Sequence, residues 1–296
     1  MFPDKAEQYA KKFNIQKVYE SYEDMADDPE IDIVYIAVIN PDHHRLCLLF
    51  LNANKHVLCE KPMTLTMAGC EEILKVAKEK NLFFMEGIWS RCFPVYDQVR
   101  KELDSGCLGD VKLIHACICI TVYHCDRIQQ KSLGGGGLKD VGTYAIQSAL
   151  LAFKGMPTKI IAKADMSVTG VDAGGSVILC YPGGKMAVLT YHTQVTGGDN
   201  SLHILGTNGS IHVEKPFWIP TKVHTPTGDY DFPLPQCDYN YNYEYSSGFV
   251  YEQNCVRECL KKGLTENPVM THEDSRTIAS ISDEILRQFG LQYEFP

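Results

Sequence analysis

The sequence predicts an α/β protein: a doubly wound domain with a parallel sheet, then an α+β domain built on a large, mostly antiparallel sheet. Three observations carry this. Residues 1–90 alternate short apolar, β-branched runs with helical patterns. Beyond residue 91 the strands lengthen and tight turns join them. Two amphipathic helices close the chain.

The elements follow in order. Asp4–Phe13 is amphipathic, with Asp4 available as N-cap. Lys17–Tyr19 is a brief strand, and Tyr22–Ala26 a short helix closed by Asp27-Asp28-Pro29. Ile31–Ile39 is a continuous apolar run, the pattern of a strand buried on both faces. Asn40-Pro41-Asp42 turns into a helix over His43–Ala53, and residues 56–59 form the next strand. Thr66 N-caps a helix to Lys78, and Leu82–Glu86 is another buried strand. Strands alternating with helices in this way are βαβ units. In the second half, Ser176–Tyr181 and Met186–His192 flank Pro182-Gly183-Gly184-Lys185, a hairpin pattern. Ile204–Gly206 and Ile211–Val213 flank Asn208-Gly209, a second one. Helical periodicity returns at Val250–Lys262 and Asp274–Phe289. The boundary between the two domains is expected near Ile88–Phe93, giving residues 1–90 and 91–296.

Composition excludes several classes. The chain has 296 residues, 45% hydrophobic and 22% charged, which is ordinary for a folded domain. Its net charge of −9 and lack of a basic run argue against nucleic acid as a partner. No apolar run reaches the roughly 18 to 20 residues of a membrane span, so no membrane partner is expected. Twelve cysteines are scattered from Cys47 to Cys259, many inside apolar strand-like runs. With no signal-like opening, they read as reduced thiols of a cytoplasmic protein. Cys117-x-Cys119 near His115, His124 and Cys125 lacks zinc-ligand spacing, so no metal is expected.

A dinucleotide-binding domain normally opens with a strand, Gly-x-Gly-x-x-Gly and a helix. Nothing before Ile31 fits that pattern, and the one glycine cluster, Gly134–Gly137, lies deep in the chain. In such a sheet the strand at Ile31–Ile39 would also lack a neighbour, which soluble proteins avoid. The expectation is a natural protein that begins roughly 30 or more residues earlier, by one strand-helix-strand unit. A splice variant or a mis-assigned start would give the same pattern.

The informative motifs are Asn40-Pro41-Asp42-His43, Glu60-Lys61-Pro62, Glu86-Gly87-Ile88-Trp89 and Gly135-Gly136-Gly137-Leu138-Lys139-Asp140-Val141-Gly142-Thr143-Tyr144. With Gly206-Thr207-Asn208-Gly209, Pro216-Phe217-Trp218 and Asp283-Glu284-Ile285, they resemble the glucose–fructose oxidoreductase and inositol dehydrogenase family. The resemblance covers essentially the whole chain and lacks only the N-terminal glycine loop. Within the family it is closest to members that oxidise trans-dihydrodiols and D-xylose. It implies a Rossmann-like domain, here N-terminally incomplete, beside an open-faced sheet that buries its face in a homodimer. It also implies hydride transfer from a diol, or from the anomeric carbon of a pentose, to NADP, with NAD less favoured.

Each residue carried over has a plainer reading. Lys61 could be a turn lysine; the resemblance makes it a catalytic group touching the nicotinamide ribose and the substrate hydroxyl, with Glu60 beside it at the coenzyme. Asp140 and Tyr144, four apart, share a helical face. Their plain reading is an N-cap and a core tyrosine. The resemblance makes Tyr144 the acid/base and Asp140 the group that orients Lys61 and coenzyme. Many relatives carry a histidine base just beyond this position, where this chain has Gln147. A tyrosine with a pKa near 10 needs a cation to act as base, and Lys61 could supply it.

His43 opens a helix; the resemblance gives it a coenzyme contact, shared with Tyr35 on the preceding strand. His44 beside it reads as solvated. Trp89 and Trp218 would otherwise be core, but the resemblance makes them flat walls for a diol or sugar. Tyr243 stands where the nearest relatives carry phenylalanine, and Arg127 is a further substrate contact. Three features depart from the relatives: the glycine-rich Leu133–Lys139 segment, Lys139 beside Asp140 in place of an apolar residue, and the Gly170-Val171-Asp172-Ala173 turn, which lacks a second acidic residue. A second functional reading follows from the missing loop: a non-catalytic truncated paralogue that partners a complete subunit.

Overall fold

A computed structural model describes residues 3–238, 241 and 243–294. The first half gives α1 (Pro3–Phe13), α2 (Tyr22–Asp27), β1 (Ile33–Ile36), α3 (Asn40–Asn52), β2 (His56–Glu60), α4 (Met67–Glu79) and β3 (Phe84–Gly87). The three strands form one parallel sheet in the order β1-β2-β3. Thr66 caps α4, accepting from Gly69 N as its position before the apolar periodicity predicts.

The second half begins with α5 (Pro94–Ser105), β4 (Val111–Cys119) and the short α6 (Asp126–Gln129). A π-helical turn at Leu138–Gly142 runs into α7 (Thr143–Ala152). Then come β5 (Lys159–Met166), β6 (Asp172–Tyr181), β7 (Lys185–His192), β8 (Leu202–Gly206), β9 (Ser210–Val213), β10 (Lys222–Thr225) and β11 (Gly228–Asp231). Two helices, α8 (Phe249–Lys261) and α9 (His272–Phe289), finish the chain. The eight strands form one sheet, β11-β10-β9-β8-β4-β7-β6-β5, antiparallel except at β4–β7. Both hairpins legible in the sequence are present.

The large sheet has one covered face and one open face. On β4, Ile114, Ala116 and Ile118 are buried, while His115, Cys117 and Cys119 alternate to the other side. Helix α7 packs on the inner side, with α5 and α9 at its two ends. Helix α9 also lies against α4, so the last helix of the chain braces the first sheet layer. Thr271 and Asp274 cap α9 reciprocally. Among the described residues no helix is long and apolar enough to cross a membrane. All twelve cysteines are free thiols.

Several local expectations need correction. Lys17–Tyr19 is not a strand: no partner offers it a ladder, and the Lys17 and Tyr19 side chains converge on the Asp28 carboxylate instead. Ile31–Ile39 yields only the four residues of β1, buried on one face. As the edge of the described sheet, β1 pairs with β2 alone, and Tyr35 is 49% exposed on its other face. Asp4 lies inside the first turn of α1 rather than capping it. His44 is not solvated; its Nε2 lies 2.9 Å from Glu72 Oε2 on α4, with 12% of the side chain exposed.

Candidate active site

Parallel strands deliver their carboxyl ends to one place, and ligands of such sheets bind there. After β1 come Ala37, Val38 and α3; after β2 come Lys61 and Pro62, joined by a cis peptide; after β3 comes a turn carrying Trp89. The large sheet and its helices face these ends. Together they enclose a cavity of about 530 Å³. Its polar wall includes Asn40, His43, Glu60, Lys61, Arg127, Asp140 and Tyr144. Its apolar wall includes Trp89, Trp218, Tyr243 and Phe249. Every sequence-predicted site residue lines it except Tyr35, which stands behind Glu60 and donates its hydroxyl to Glu60 Oε1.

The centre is a charge cluster around Asp140. Lys61 Nζ donates to the Asp140 carbonyl at 2.5 Å and lies 3.5 Å from its Oδ1. Arg127 Nη1 donates to the same Oδ1. Burial opposes ionisation of Asp140, but the two cations outweigh it and hold its carboxyl below the ordinary range. Lys61 Nζ also sits over the Tyr144 ring, 5.2 Å from its centroid. Burial, with the Glu60 and Asp140 charges, pushes the Tyr144 phenol well above its usual pKa, so in this chain it is neutral.

Asp140 and Tyr144 do share one side of the backbone, but not through an α-turn. Asp140 lies in the π-turn, so it caps nothing and its carbonyl is turned to Lys61. The glycine run upstream makes this possible. A Cβ on Gly135 would lie 2.5 Å from the Ile128 carbonyl oxygen, and Gly136 has φ of +127°. Asp172, fully buried, accepts from Leu138 N at the start of the π-turn and from Tyr191 Oη at 2.7 Å. The glycine cluster is therefore a threading device for Asp140 and not a phosphate cradle.

His43 is held at both ring nitrogens. Nδ1 is 2.8 Å from the Pro62 carbonyl and Nε2 is 3.0 Å from the Val38 carbonyl. Both neighbours are acceptors, a setting that favours the doubly protonated ring. Burial works against that charge, but Cys59 and the two carbonyls outweigh it and carry the pKa up to about 9. The ring ties the loop after β1 to the Lys61-Pro62 turn. Gln147 does not face the cavity; it is buried and accepts from Arg91 Nε at 3.1 Å. Lys139 points away into the interior, 2% exposed, near Glu86, Asp172 and Asp283.

Three residues of the site were not singled out from sequence. Asn40 donates to the Gly134 carbonyl at 2.9 Å, joining the two halves. Its motif was visible, but its partner was not. Phe249 stacks on Trp89 at 4.2 Å, a contact between distant elements with no sequence trace. Glu252, one turn further along α8, is 1% exposed and its Oε1 has no partner. Burial pushes its carboxyl well above the usual range. A second hollow of about 560 Å³, between α4 and the end of α9, brings together no comparable acid–base set.

The donor set fits the nicotinamide half of a dinucleotide. The start of α3 has no side-chain cap, Asn40 and Lys61 offer donors, and Trp89, which lines the cavity, has an Nε1 with no partner. Among the described residues, no group of three or more His, Cys, Asp or Glu converges on a metal position.

Comparison with known proteins agrees with this geometry. Residues 3–88 match the model of an oxidoreductase family with an NAD-binding Rossmann fold, and residues 96–212 match the GFO/IDH/MocA C-terminal domain. The chain belongs to the GFO/IDH/MocA oxidoreductase family. It is 40% identical to the trans-1,2-dihydrobenzene-1,2-diol dehydrogenase of Xenopus tropicalis, over 98% of this chain and 88% of that protein. The human enzyme of the same name is 34% identical over 98% of this chain and 86% of its own length. Among solved structures, a 3-ketoreductase from Actinomadura kijaniata, in complex with NADP, superposes with a TM-score of 0.81 at 27% identity, covering 100% of this chain and 89% of that one. A levoglucosan dehydrogenase in complex with NADH shares the fold, with a TM-score of 0.83 at 20% identity over 98% and 86% of the two chains. The chain is thus a dehydrogenase by kinship and by fold.

Proposed function

We propose that this chain oxidises a trans-dihydrodiol, or the anomeric carbon of a pentose such as D-xylose, with NADP as hydride acceptor. The observation that carries the reading is the meeting of Lys61, Asp140 and Tyr144 beside the Trp89–Phe249 stack, in a cavity of about 530 Å³. The names of the curated relatives support the diol. NADP rests on the family resemblance, supported by the NADP complex of the 3-ketoreductase.

The bound nicotinamide supplies the hydride acceptor. The chain's own residues do the rest. Lys61 donates to the substrate hydroxyl while Asp140 holds its ammonium in place. The hydroxyl proton leaves to the Tyr144 oxygen as the C–H bond breaks, so Tyr144 must first lose its own proton. In the reverse direction, the neutral phenol gives its proton to the carbonyl oxygen. Trp89, Trp218 and Tyr243 flank the substrate ring and exclude water. His43 and Glu60, the latter held by Tyr35, position the coenzyme side. Arg127 closes the rim through Asp140. The open face of the large sheet serves a homodimer.

The test is NADP reduction by this chain with a panel of trans-dihydrodiols and aldoses, alongside NADPH titration followed by fluorescence of Trp89 and Trp218. Saturable binding with turnover of a diol or D-xylose supports the reading. No reduction with any diol or aldose at any pH overturns it.

A further inference from the structure

The open face of the large sheet carries a pattern that the active site does not use. The strand registers align one residue from each of seven strands into a single row: Ile161, Ile178, Val188, His115, His203, His212 and His224. Three of the seven are aliphatic and four carry an imidazole. The imidazole centroids are 6.4, 4.4 and 5.6 Å apart in order, and the His203 and His212 planes differ by 4°. Their ring edges do not converge, so the row is not a metal site.

Charges bracket the row. At the histidine end, Asp199 lies 3.3 Å from His203 Nε2, beside Ser201; Glu214 and Asp229 hold His224 at 2.8 and 2.7 Å. At the aliphatic end, β5 presents Lys159 and Lys163 in the same alternation as Ile161, with Asp165 beside His192. None of the row's residues is buried, and the loop at Gly198 lies against Cys117 and Cys119 on the same face. Ile161 and Met186 are 45% and 42% exposed on it.

We propose that this face docks a second copy of the chain across a two-fold axis that lies between the two sheets and runs along the strand direction, and that protonation of the histidine row releases it. The inference rests on the homodimer reading above and adds its orientation and its control. Sheets stack face to face with strands roughly aligned. A half-turn about that axis, passing through His115 at the centre of the row, lays His203, His212 and His224 over the partner's Val188, Ile178 and Ile161. The same operation lays the Lys159–Lys163 end over the partner's Asp199, Glu214 and Asp229. The face is self-complementary, as an isologous interface requires.

Neutral imidazoles pack against Ile and Val at little cost. Charged ones do not, because burying an unpaired cation is expensive. Neighbouring rings 4.4 Å apart also repel when both are protonated. Burial and the two flanking imidazoles lower the pKa of His212, whereas Glu214 and Asp229 raise that of His224. His224, held by carboxylates, therefore charges before His212.

The test compares the wild-type chain with H203Q/H212Q by sedimentation velocity from about pH 8 to about pH 5.5, spanning the histidine range. The wild type should be dimeric at the upper end and at least about ten-fold weaker in dimer affinity at the lower end, the change one or two protonations can impose. The double variant should dimerise at both. A wild type that is monomeric at about pH 8 overturns the dimer reading itself. A wild-type dimer unchanged on acidification, or a variant that dissociates in step with wild type, overturns the histidine control. NADP reduction at about pH 8 reports separately on the proposed activity.

Discussion

Lys61 and Asp140, 79 residues apart, meet twice: through the Asp140 carbonyl at 2.5 Å and through its carboxylate at 3.5 Å. One residue ends a parallel strand and the other sits in a π-turn that leads to the large sheet's inner helix. The junction of the two layers is therefore built into the cluster that would handle the substrate's proton.

Lys61→Met and Tyr144→Phe should each lower turnover by at least about 100-fold, the lower end of what one general acid or base supplies. Both variants should still fold, since neither side chain anchors a sheet. Steady-state kinetics with a preferred diol or aldose checks this. Near-normal rates in both would remove the assignment.

The rate should depend on pH in opposite senses for the two directions. The Tyr144 pKa is raised by burial and by Glu60 and Asp140, so the phenol is neutral at neutral pH. Oxidation needs it deprotonated and should accelerate with rising pH without levelling off at about 10, the ordinary phenol value. Carbonyl reduction needs it protonated and should not accelerate. Profiles of kcat in both directions check this, and Tyr144→Phe should flatten the oxidative one.

His43 contributes a pH-dependent increment of stability. Its folded pKa, about 9, lies above the unfolded value near 6.5. The contribution is fully present below about 6.5 and is lost as pH rises through about 9. Urea midpoints of the wild type should fall across that window, and those of His43→Gln should fall less. An NMR spectrum at neutral pH should show protons on both ring nitrogens.

Arg91 is 3% exposed and pairs with Asp274 at 3.0 Å. Arg91→Met should cost about 3–5 kcal/mol, because it strands a half-buried carboxylate. Asp274→Asn should cost less than Asp274→Ala, since the amide can still serve the α9 cap. Chemical denaturation measures all three.

Gly135→Ala should destabilise the π-turn and displace Asp140, because the added methyl meets the Ile128 carbonyl at 2.5 Å. The expected signature is a loss of NADPH affinity alongside a lowered melting temperature. Gly183→Ala, where a Cβ meets nothing, should leave coenzyme affinity unchanged although its φ of +76° costs some stability.

The sequence by itself determined the order and type of most first-half elements, of the two hairpins and of the closing helices, because periodicity and turn chemistry are local; α5, β5, β10 and β11 were not singled out from it. The Thr66 cap, both hairpins and the two closing helices are legible residue by residue. It also singled out most of the side chains that line the cavity, through short motifs such as Glu60-Lys61-Pro62, but not Asn40 or Phe249. Only the tertiary structure decided how they meet. Local pattern cannot show that the Asp140 turn is π rather than α, since that depends on Asp172 and Tyr293 packing around four glycines. It cannot show that β1 is half-buried, because burial is a property of neighbours. The Trp89–Phe249 stack, the orphaned Glu252 and the histidine row across four strands depend on long-range register, and no window along the chain contains them.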